Sequence, residues 1–372
     1  MDLPEPRPPP ELGNLEPGAG AANDRGSPRG SVVVGYGMII ALTGASGFLG
    51  AAITHRLAHA GHEVVALVRP TSRTDHIEPA VSRFVVGDHA DPSVWPDLLA
   101  GADALVHNSF DWSALKSGSL PRHLRSNLDG SLGLLDACHH AGVDRFIYMS
   151  SVAVHHAMSD RWKGVIDEDH PLRPRGLYGA CKAAVEAHLW AAHHSWGMHT
   201  VALRPSAVYG VEPVRLDRSH GYTQIRTLLD GGRVSPENFP GGGKWVHVED
   251  VAGATLAAVQ RDAAAGRAFN LADCYAKFTL LGRLAAQALG LPDDRVTLDD
   301  SPPAKNRFEK TATREVLGVS LDRGEDGLSA YIRELVSAVR AAPAPASVTN
   351  EPSIHSQTAY SSQSTPPATG SG

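Results

Sequence analysis

The segment LYGACK places a tyrosine and a lysine, Tyr178 and Lys182, four residues apart. Two side chains with this spacing lie on the same face of an α-helix. A free tyrosine has a pKa of about 10, whereas a general acid–base near neutral pH needs a pKa about three units lower. An ammonium about 4 Å away contributes about 4 kcal/mol at an effective dielectric constant near 20, which is of that order. The spacing predicts that Lys182 activates Tyr178 for proton transfer. An ordinary helix face is the alternative, because the pattern is common.

Two serines, Ser150 and Ser151, close a predicted strand over residues 145–150, in the run FIYMSSVAVH. Doubly wound proteins bind their ligands at the carboxyl ends of the strands. A serine hydroxyl at that position can hold a carbonyl or hydroxyl oxygen of a substrate beside the tyrosine. The alternative is a turn serine without function, since strand ends are rich in serine.

A glycine-rich stretch, TGASGFLG, follows the apolar run MIIAL near the start of the patterned region. A strand, a glycine turn and a helix N-terminus together present free backbone N–H groups to a pyrophosphate, and glycine lets the phosphate come close. We predict that this loop binds a nucleotide cofactor through Gly44, Ser46, Gly47, Phe48, Leu49 and Gly50. A tight turn without function is the alternative.

The residues after the second predicted strand indicate which nucleotide binds. The common dinucleotide fingerprint is GxGxxG, with an acidic residue about 20 positions later for the ribose 2′-hydroxyl. Here the spacing is GxxGxxG, and the strand over 63–68 is followed by Arg69 in RPTSR. A guanidinium pairs with a 2′-phosphate, which a carboxylate would repel. Arg69, with Arg73 as a second charge, therefore favours NADP(H). NAD(H) remains the alternative cofactor, and the alternative for Arg69 is an arginine that lies in a loop and contacts only solvent.

Short β-branched runs alternate with helical segments along most of the chain, which predicts a doubly wound parallel sheet of the Rossmann-like α/β class. Strands are expected at 38–43, 63–68, 83–87, 103–107, 145–150 and 199–205. Helices are expected at 48–59, 124–142, 177–196, 278–290 and 325–340, and Gly142 is expected to end the second of them. We assign 38–205 to a cofactor-binding domain and 206–340 mostly to a smaller, interleaved substrate lobe. The low-complexity ends, 1–37 and 341–372, are predicted to be disordered.

The charge balance and the cysteines exclude several function classes. The chain has 372 residues, with 34 basic and 40 acidic side chains and a net charge of −6, which argues against nucleic-acid or membrane-surface partners. Three widely spaced cysteines form neither a disulfide framework nor a zinc motif. No apolar run reaches the roughly 20 residues of a membrane helix. We expect a cytoplasmic protein without a metal, its His–His pairs solvated or in loops.

Taken together, TGASGFLG, SSVAV and YGACK resemble the extended short-chain dehydrogenase/reductase family, also called the NAD-dependent epimerase/dehydratase family. GDHADP, NLDGSLGLLDAC, LRPSAVYG and KWVHVEDVA extend the resemblance over nearly the whole body. It implies that Tyr178 is the acid–base, that Lys182 lowers its pKa and bonds the nicotinamide ribose, and that Ser151 orients the reacting oxygen. It also implies that Asp88 accepts from the adenine amino group, and that helices near 122–141 and 177–196 form a homodimer.

Two stretches depart from the family pattern. HNSFDWSALKSG stands where the family has an alanine-rich stretch, so Phe110 and Trp112 either shape the substrate pocket or simply pack. Val152 and Ala153 stand where the dehydratases carry an acidic pair, which disfavours dehydration. The leading hypothesis is an NAD(P)-dependent oxidoreductase acting on a small-molecule carbonyl or alcohol. The alternatives are a nucleotide-sugar epimerase and a non-catalytic sensor of NADP.

Overall fold

A seven-stranded parallel sheet lies at the centre of the computed structural model, which describes residues 37–155, 164–302 and 306–342. In chain order the strands are β1 (Ile39–Thr43), β2 (Glu63–Val68), β3 (Arg83–Val86), β4 (Ala104–His107), β5 (Arg145–Met149), β6 (Val165–Ile166), β7 (His199–Pro205), β8 (Ala207–Tyr209), β9 (Gly242–His247), β10 (Arg267–Leu271), β11 (Cys274–Lys277) and β12 (Arg307–Phe308). The helices are α1 (Phe48–His59), α2 (Trp95–Leu99), α3 (Trp112–Lys116), α4 (Leu120–Leu124), α5 (Gly130–Ala141), α6 (Leu177–Trp196), α7 (Tyr222–Leu229), α8 (Val248–Gln260), α9 (Phe278–Leu289) and α10 (Gly324–Ala341).

The order of the strands in the large sheet is β10-β7-β5-β4-β1-β2-β3, and each neighbouring pair is parallel. Strand β1 lies between β2 and β4, so the winding direction reverses beside it, and ligands bind at such a reversal in open α/β sheets. The predicted doubly wound fold is confirmed. Strands β2 and β7 and helices α1 and α6 have the predicted bounds, whereas β1, β3, β4 and β5 are each one residue shorter.

Both faces of the large sheet are covered by helices, because successive side chains of a strand point to opposite faces. Ile40 and Leu42 of β1 pack on one face with residues of α1 and α8. Ala41 packs on the other face with residues of α5 and α6, among them Leu134 and Val185. The packing on both faces holds the strands in place, and with them the loops that follow the strands.

The long helix predicted through 124–142 is interrupted in the structure. A π-helical turn, Arg125–Asp129, separates α4 from α5. Helix α5 begins at Gly130. A Cβ atom on Gly130 would lie only 2.6 Å from the Ala90 side chain, so the helix backbone packs closely against Ala90. The predicted end is confirmed, since Gly142 adopts a left-handed φ of +73°.

The residues after Pro205 contribute to two parts of the structure. Strands β8, β9 and β11 form a separate three-stranded sheet, which packs with α7, α9 and α10 around Trp245 and Leu281. In contrast, β10 extends the large sheet beside β7, and α8 packs on α1. The predicted disordered ends lie outside the described residues except for Gly37, Ala341 and Ala342. Ala341 is the last residue of α10, one residue beyond the predicted end of that helix.

Candidate active site

A cavity of about 2100 Å³ follows the carboxyl ends of the parallel strands. Pockets for one small ligand usually measure about 300–1000 Å³, so this cavity has room for a dinucleotide and a substrate. Residues of the second lobe, including Arg215, Lys244 and Phe278, also line it. Every residue that the sequence assigns to the cofactor or to catalysis lies on its wall: Gly44, Ser46, Gly47, Phe48, Leu49, Gly50, Arg69, Arg73, Asp88, Ser151, Tyr178 and Lys182.

The three glycines of the loop after β1 differ in their backbone conformation and in the space that the protein leaves for a side chain. Gly44 has a φ of +71°, which side chains rarely tolerate. A Cβ atom on Gly50 would lie 2.0 Å from the carbonyl oxygen of Gly44, so the close approach of α1 to the loop requires glycine there. A Cβ atom on Gly47 would meet only that same oxygen, at 3.5 Å. The protein itself therefore leaves room for a side chain at Gly47, which lines the cavity.

The N-terminus of α1 has the properties of an anion site. Gly47 is its N-cap, no side chain caps the helix, and its first turn contains no acidic residue. The first N–H groups of a helix have no partner within the helix, and the helix dipole favours negative charge beside them. Because this helix end borders the cavity, the loop suits the diphosphate of a dinucleotide.

The two predicted arginines of the nucleotide site differ in their surroundings. Arg73 forms an exposed ion pair with Asp75, at 2.8 Å. Arg69 lines the cavity, and within the described part of the chain no side chain pairs with it. The second charge that we expected from Arg73 is thus largely offset, which leaves Arg69 as the free cation of this loop. Asp88 accepts a hydrogen bond from the N–H of Ala90 at 2.9 Å, and about half of its side chain is exposed.

The two serines after β5 point to different partners. The Ser150 hydroxyl donates a hydrogen bond to the carboxylate of Glu186, inside the protein. Ser151 lines the cavity, and its hydroxyl lies near enough to Tyr178 to lower the pKa of that phenol. The structure therefore brings Ser151, not Ser150, to the predicted acid–base.

Tyr178 and Lys182 share a face of α6, but no hydrogen bond joins their side chains. The Lys182 ammonium lies 6.0 Å from the centre of the Tyr178 ring and donates a hydrogen bond to the carbonyl oxygen of Met149 at 2.6 Å. Burial raises the pKa of Tyr178 to about 12, although the neighbouring Ser151 hydroxyl lowers it. Burial also lowers the pKa of Lys182 to about 8. The pKa of Tyr178 in this structure therefore lies above its ordinary value and not below it, as we had expected, because desolvation is the largest cause of the shift.

Aromatic rings cover the predicted acid–base. Trp112 stacks on the Tyr178 ring with 4.9 Å between centroids, and Phe110 meets the same ring edge-on at 5.0 Å. Asp111, between them, donates its N–H to the side chain of Asn127 at 2.6 Å. Sequence reasoning named the aromatic residues without deciding between pocket and packing, and it missed Asn127. No spacing in the sequence signals that last contact.

A buried ionic network supports the loop that carries the serines. Arg204 of β7 donates three side-chain hydrogen bonds to Glu186, the shortest at 2.6 Å, and another to Nε2 of His155 at 3.0 Å. Burial and the neighbouring guanidinium lower the pKa of His155 to about 3. The expectation of a solvated or loop histidine is therefore wrong at His155, which is 1% exposed. The described residues contain no cluster that could hold a metal ion and no helix able to cross a membrane.

Comparison with known proteins gives relatives with several activities. The chain is 32% identical over 175 residues to a 2-alkyl-3-oxoalkanoate reductase from Stenotrophomonas maltophilia, covering 46% of this chain and 52%, about half, of that protein. It is 27% identical over 314 residues to the low-salt glycan biosynthesis protein Agl12 from Haloferax volcanii, covering 79% and 97%. The solved structure of DesIV, a dTDP-glucose 4,6-dehydratase from Streptomyces venezuelae with NAD and TYD bound, shares the fold, with a TM-score of 0.66 at 23% identity and coverage of 82% and 98%.

A family model covers most of the folded part. Residues 40–272 match the model of the NAD dependent epimerase/dehydratase family. This span runs from β1 to the end of β10 and so includes the whole parallel sheet, the glycine loop and the tyrosine–lysine pair. The chain belongs to the NAD dependent epimerase/dehydratase family.

Proposed function

We propose that this protein is an NAD(P)-dependent oxidoreductase that transfers a hydride between nicotinamide and a carbonyl or alcohol carbon of a small molecule. The observation that supports this proposal is the shared cavity. Ser151, Tyr178 and Lys182 line the same space as the uncapped N-terminus of α1, so a bound dinucleotide and a carbonyl group can meet there.

In the direction of reduction, Ser151 and Tyr178 hold the carbonyl oxygen between their hydroxyl groups. A dinucleotide held by the glycine loop after β1 would supply the hydride for the carbonyl carbon. Tyr178 gives its proton to the oxygen, which completes the alcohol, and the ammonium of Lys182 stabilises the phenolate that remains. A tyrosine with a pKa of about 12 is protonated at neutral pH and therefore ready to donate. Oxidation of an alcohol starts from the phenolate, so we expect it to need alkaline conditions.

Dehydration fits this cavity poorly. Elimination of water needs an acid and a base close to the substrate, and Val152 and Ala153 line the wall beside Ser151. Among the described residues that line the cavity, the acidic ones are Asp88, Asp111 and Glu212. Asp111 caps α3 by accepting the N–H of Ala114, and Asp88 follows β3, where we place the adenine. The site therefore lacks an acidic pair next to Ser151.

Epimerisation of a nucleotide sugar is the second candidate. Lys244 of β9 lines the cavity, and its ammonium contacts the amide oxygen of Asn306 at 2.9 Å instead of a carboxylate. Such a cation can hold a substrate diphosphate. Epimerases of the family mostly retain NAD, which Arg69 does not favour, and this difference makes the reductase our first choice.

Two further proposals complete this function. NADP(H) is the preferred cofactor, because Arg69 is free to pair with a 2′-phosphate, while NAD(H) remains the alternative. The protein acts as a homodimer formed by α5 and α6, and the exposed Trp190 on α6 supports this choice. The cytoplasmic location stays a prediction.

The decisive experiment is a turnover screen of the purified chain with NADPH against aldehydes, ketones and sugar nucleotides. A reductase consumes NADPH with at least one aldehyde or ketone and shows no interconversion of sugar nucleotides. Release of tightly bound NAD from the purified protein, with interconversion of a sugar nucleotide and no net cofactor consumption, would instead identify an epimerase.

A further inference from the structure

The aromatic pair beside Tyr178, Phe110 and Trp112, is built into the site. Trp112 stacks on Tyr178 at an interplanar angle of 24°, and the centroids of Phe110 and Trp112 are 4.9 Å apart. The Lys182 ammonium lies 5.1 Å from the centre of the Phe110 ring, within the range of a cation–π interaction. Both rings therefore contact the groups that we assign to proton transfer.

The backbone between the two rings is held in place from both sides. Asp111 donates its N–H to Oδ1 of Asn127 at 2.6 Å and accepts from Nδ2 of the same residue at 3.0 Å. Its carboxylate accepts the N–H of Ala114 at 3.0 Å, which starts α3, and the Ser126 hydroxyl at 3.1 Å. Because these hydrogen bonds hold the backbone of this segment in place, the two rings form a rigid part of the cavity wall.

Trp112 still presents surface to a ligand. Trp112 is 37% exposed and lines the same cavity as Ser151 and Tyr178. An exposed indole in a cavity gains most from a flat partner, because stacked rings bury the largest area at the best distance.

We propose that Phe110 and Trp112 select the substrate of this reductase by stacking against a flat aromatic or conjugated group next to the reacting carbonyl. This inference rests on the proposed function, because it names the substrate class of the same site. It makes Trp112 a specificity-determining residue, while Ser151 and Tyr178 keep their roles at the oxygen.

Two methyl ketones of similar size test the inference, acetophenone with a flat ring and cyclohexyl methyl ketone with a puckered one. Their dissociation constants are measured on the full chain saturated with oxidised NADP⁺, so that neither is reduced, and their kcat/KM values are measured with NADPH. The wild-type protein should prefer acetophenone by about fivefold in both measurements. Trp112→Leu should abolish this preference, and Trp112→Phe should retain part of it.

A matched tryptophan serves as the control. Trp196 is exposed at the end of α6 and stacks on His139, so Trp196→Leu removes the same side chain without touching the cavity and should keep the wild-type preference. The inference is overturned if wild type binds acetophenone no better than the other ketone, if it binds neither, or if Trp112→Leu leaves the preference unchanged. A preference in binding without NADPH consumption would support the aromatic wall and refute the proposed reductase.

Discussion

The ammonium of Lys182 lies 6.0 Å from the centre of the Tyr178 ring, although the two residues are one helical turn apart on α6. Its hydrogen bond goes to the carbonyl oxygen of Met149, at the end of β5. Lysine and tyrosine therefore remain separate titrating groups, one with a pKa of about 8 and the other of about 12. This separation determines how the proposed reaction depends on pH.

Ketone reduction should slow down above about pH 8. Tyr178 stays protonated over the accessible range, whereas Lys182, with its lowered pKa of about 8, loses its charge as the pH rises and no longer stabilises the phenolate. We expect kcat/KM to be constant near neutral pH and to fall about tenfold per pH unit well above pH 8. In Lys182→Arg, which keeps its charge, this fall should disappear. A wild-type profile that stays flat to pH 10 would contradict the assignment.

Arg69 should determine the choice between the two nicotinamide cofactors. Replacing Arg69 with Ala removes a charge-assisted contact to a 2′-phosphate, so the dissociation constant for NADPH should rise about 10- to 100-fold while that for NADH changes little. Arg73→Ala is the matched control, and it should have a smaller effect because Asp75 already pairs with that guanidinium. Calorimetric titration measures both constants. An NADPH affinity unaffected by Arg69→Ala would rule out this role.

Gly47 and Gly50 should respond differently to a single methyl group. Gly50→Ala places a Cβ atom against the Gly44 carbonyl and should destabilise the fold by about 1–3 kcal/mol. Gly47→Ala has internal room, so its free energy of unfolding should change by less than about 0.5 kcal/mol while its cofactor affinity drops. Urea unfolding and cofactor titration of both variants provide the comparison. Equal effects on unfolding would show that Gly47 serves the fold and not the ligand.

The buried pair of Glu186 and Arg204 should carry a large part of the stability near Ser151. Both side chains are almost completely buried, so Glu186→Gln leaves an uncompensated guanidinium and should cost about 3–5 kcal/mol of unfolding free energy. Asp75→Asn breaks the exposed ion pair with Arg73 and should cost at most about 1 kcal/mol. Chemical unfolding of the two variants tests this order, and a Glu186→Gln protein as stable as Asp75→Asn would contradict it.

Features that depend on neighbouring residues could be predicted from the sequence. The glycine loop, α1 and α6 follow from local patterns of apolar residues and glycine, and their bounds agree with the structure. The ion pair of Arg73 with Asp75 is equally local, since the residues are two positions apart.

Features that depend on distant residues could not be predicted in this way. The π-helical turn at Arg125–Asp129 lies in a segment whose sequence pattern predicts an uninterrupted helix. It occurs where the side chain of Asn127 donates a hydrogen bond to the backbone carbonyl of Asp111. The Lys182 ammonium donates its hydrogen bond to the carbonyl oxygen of Met149, which is 33 residues away in the sequence. The stacking of Trp112 on Tyr178 joins residues that only the sheet brings together. Burial is the largest cause of both pKa shifts and depends on residues that are distant in the sequence, so the spacing of Tyr178 and Lys182 alone could not predict their pKa values.

The most direct test of the central claim is the replacement Tyr178→Phe, with Tyr222→Phe as its control, since Tyr222 packs against the core of the second lobe and does not line the cavity. The measurement combines NADPH consumption with the best carbonyl substrate and the dissociation constant for NADPH. Our account predicts that Tyr178→Phe loses at least about 100-fold in kcat while binding NADPH as tightly as wild type, and that Tyr222→Phe keeps both properties. A Tyr178→Phe protein that still turns over at the wild-type rate would contradict the proposed acid–base role.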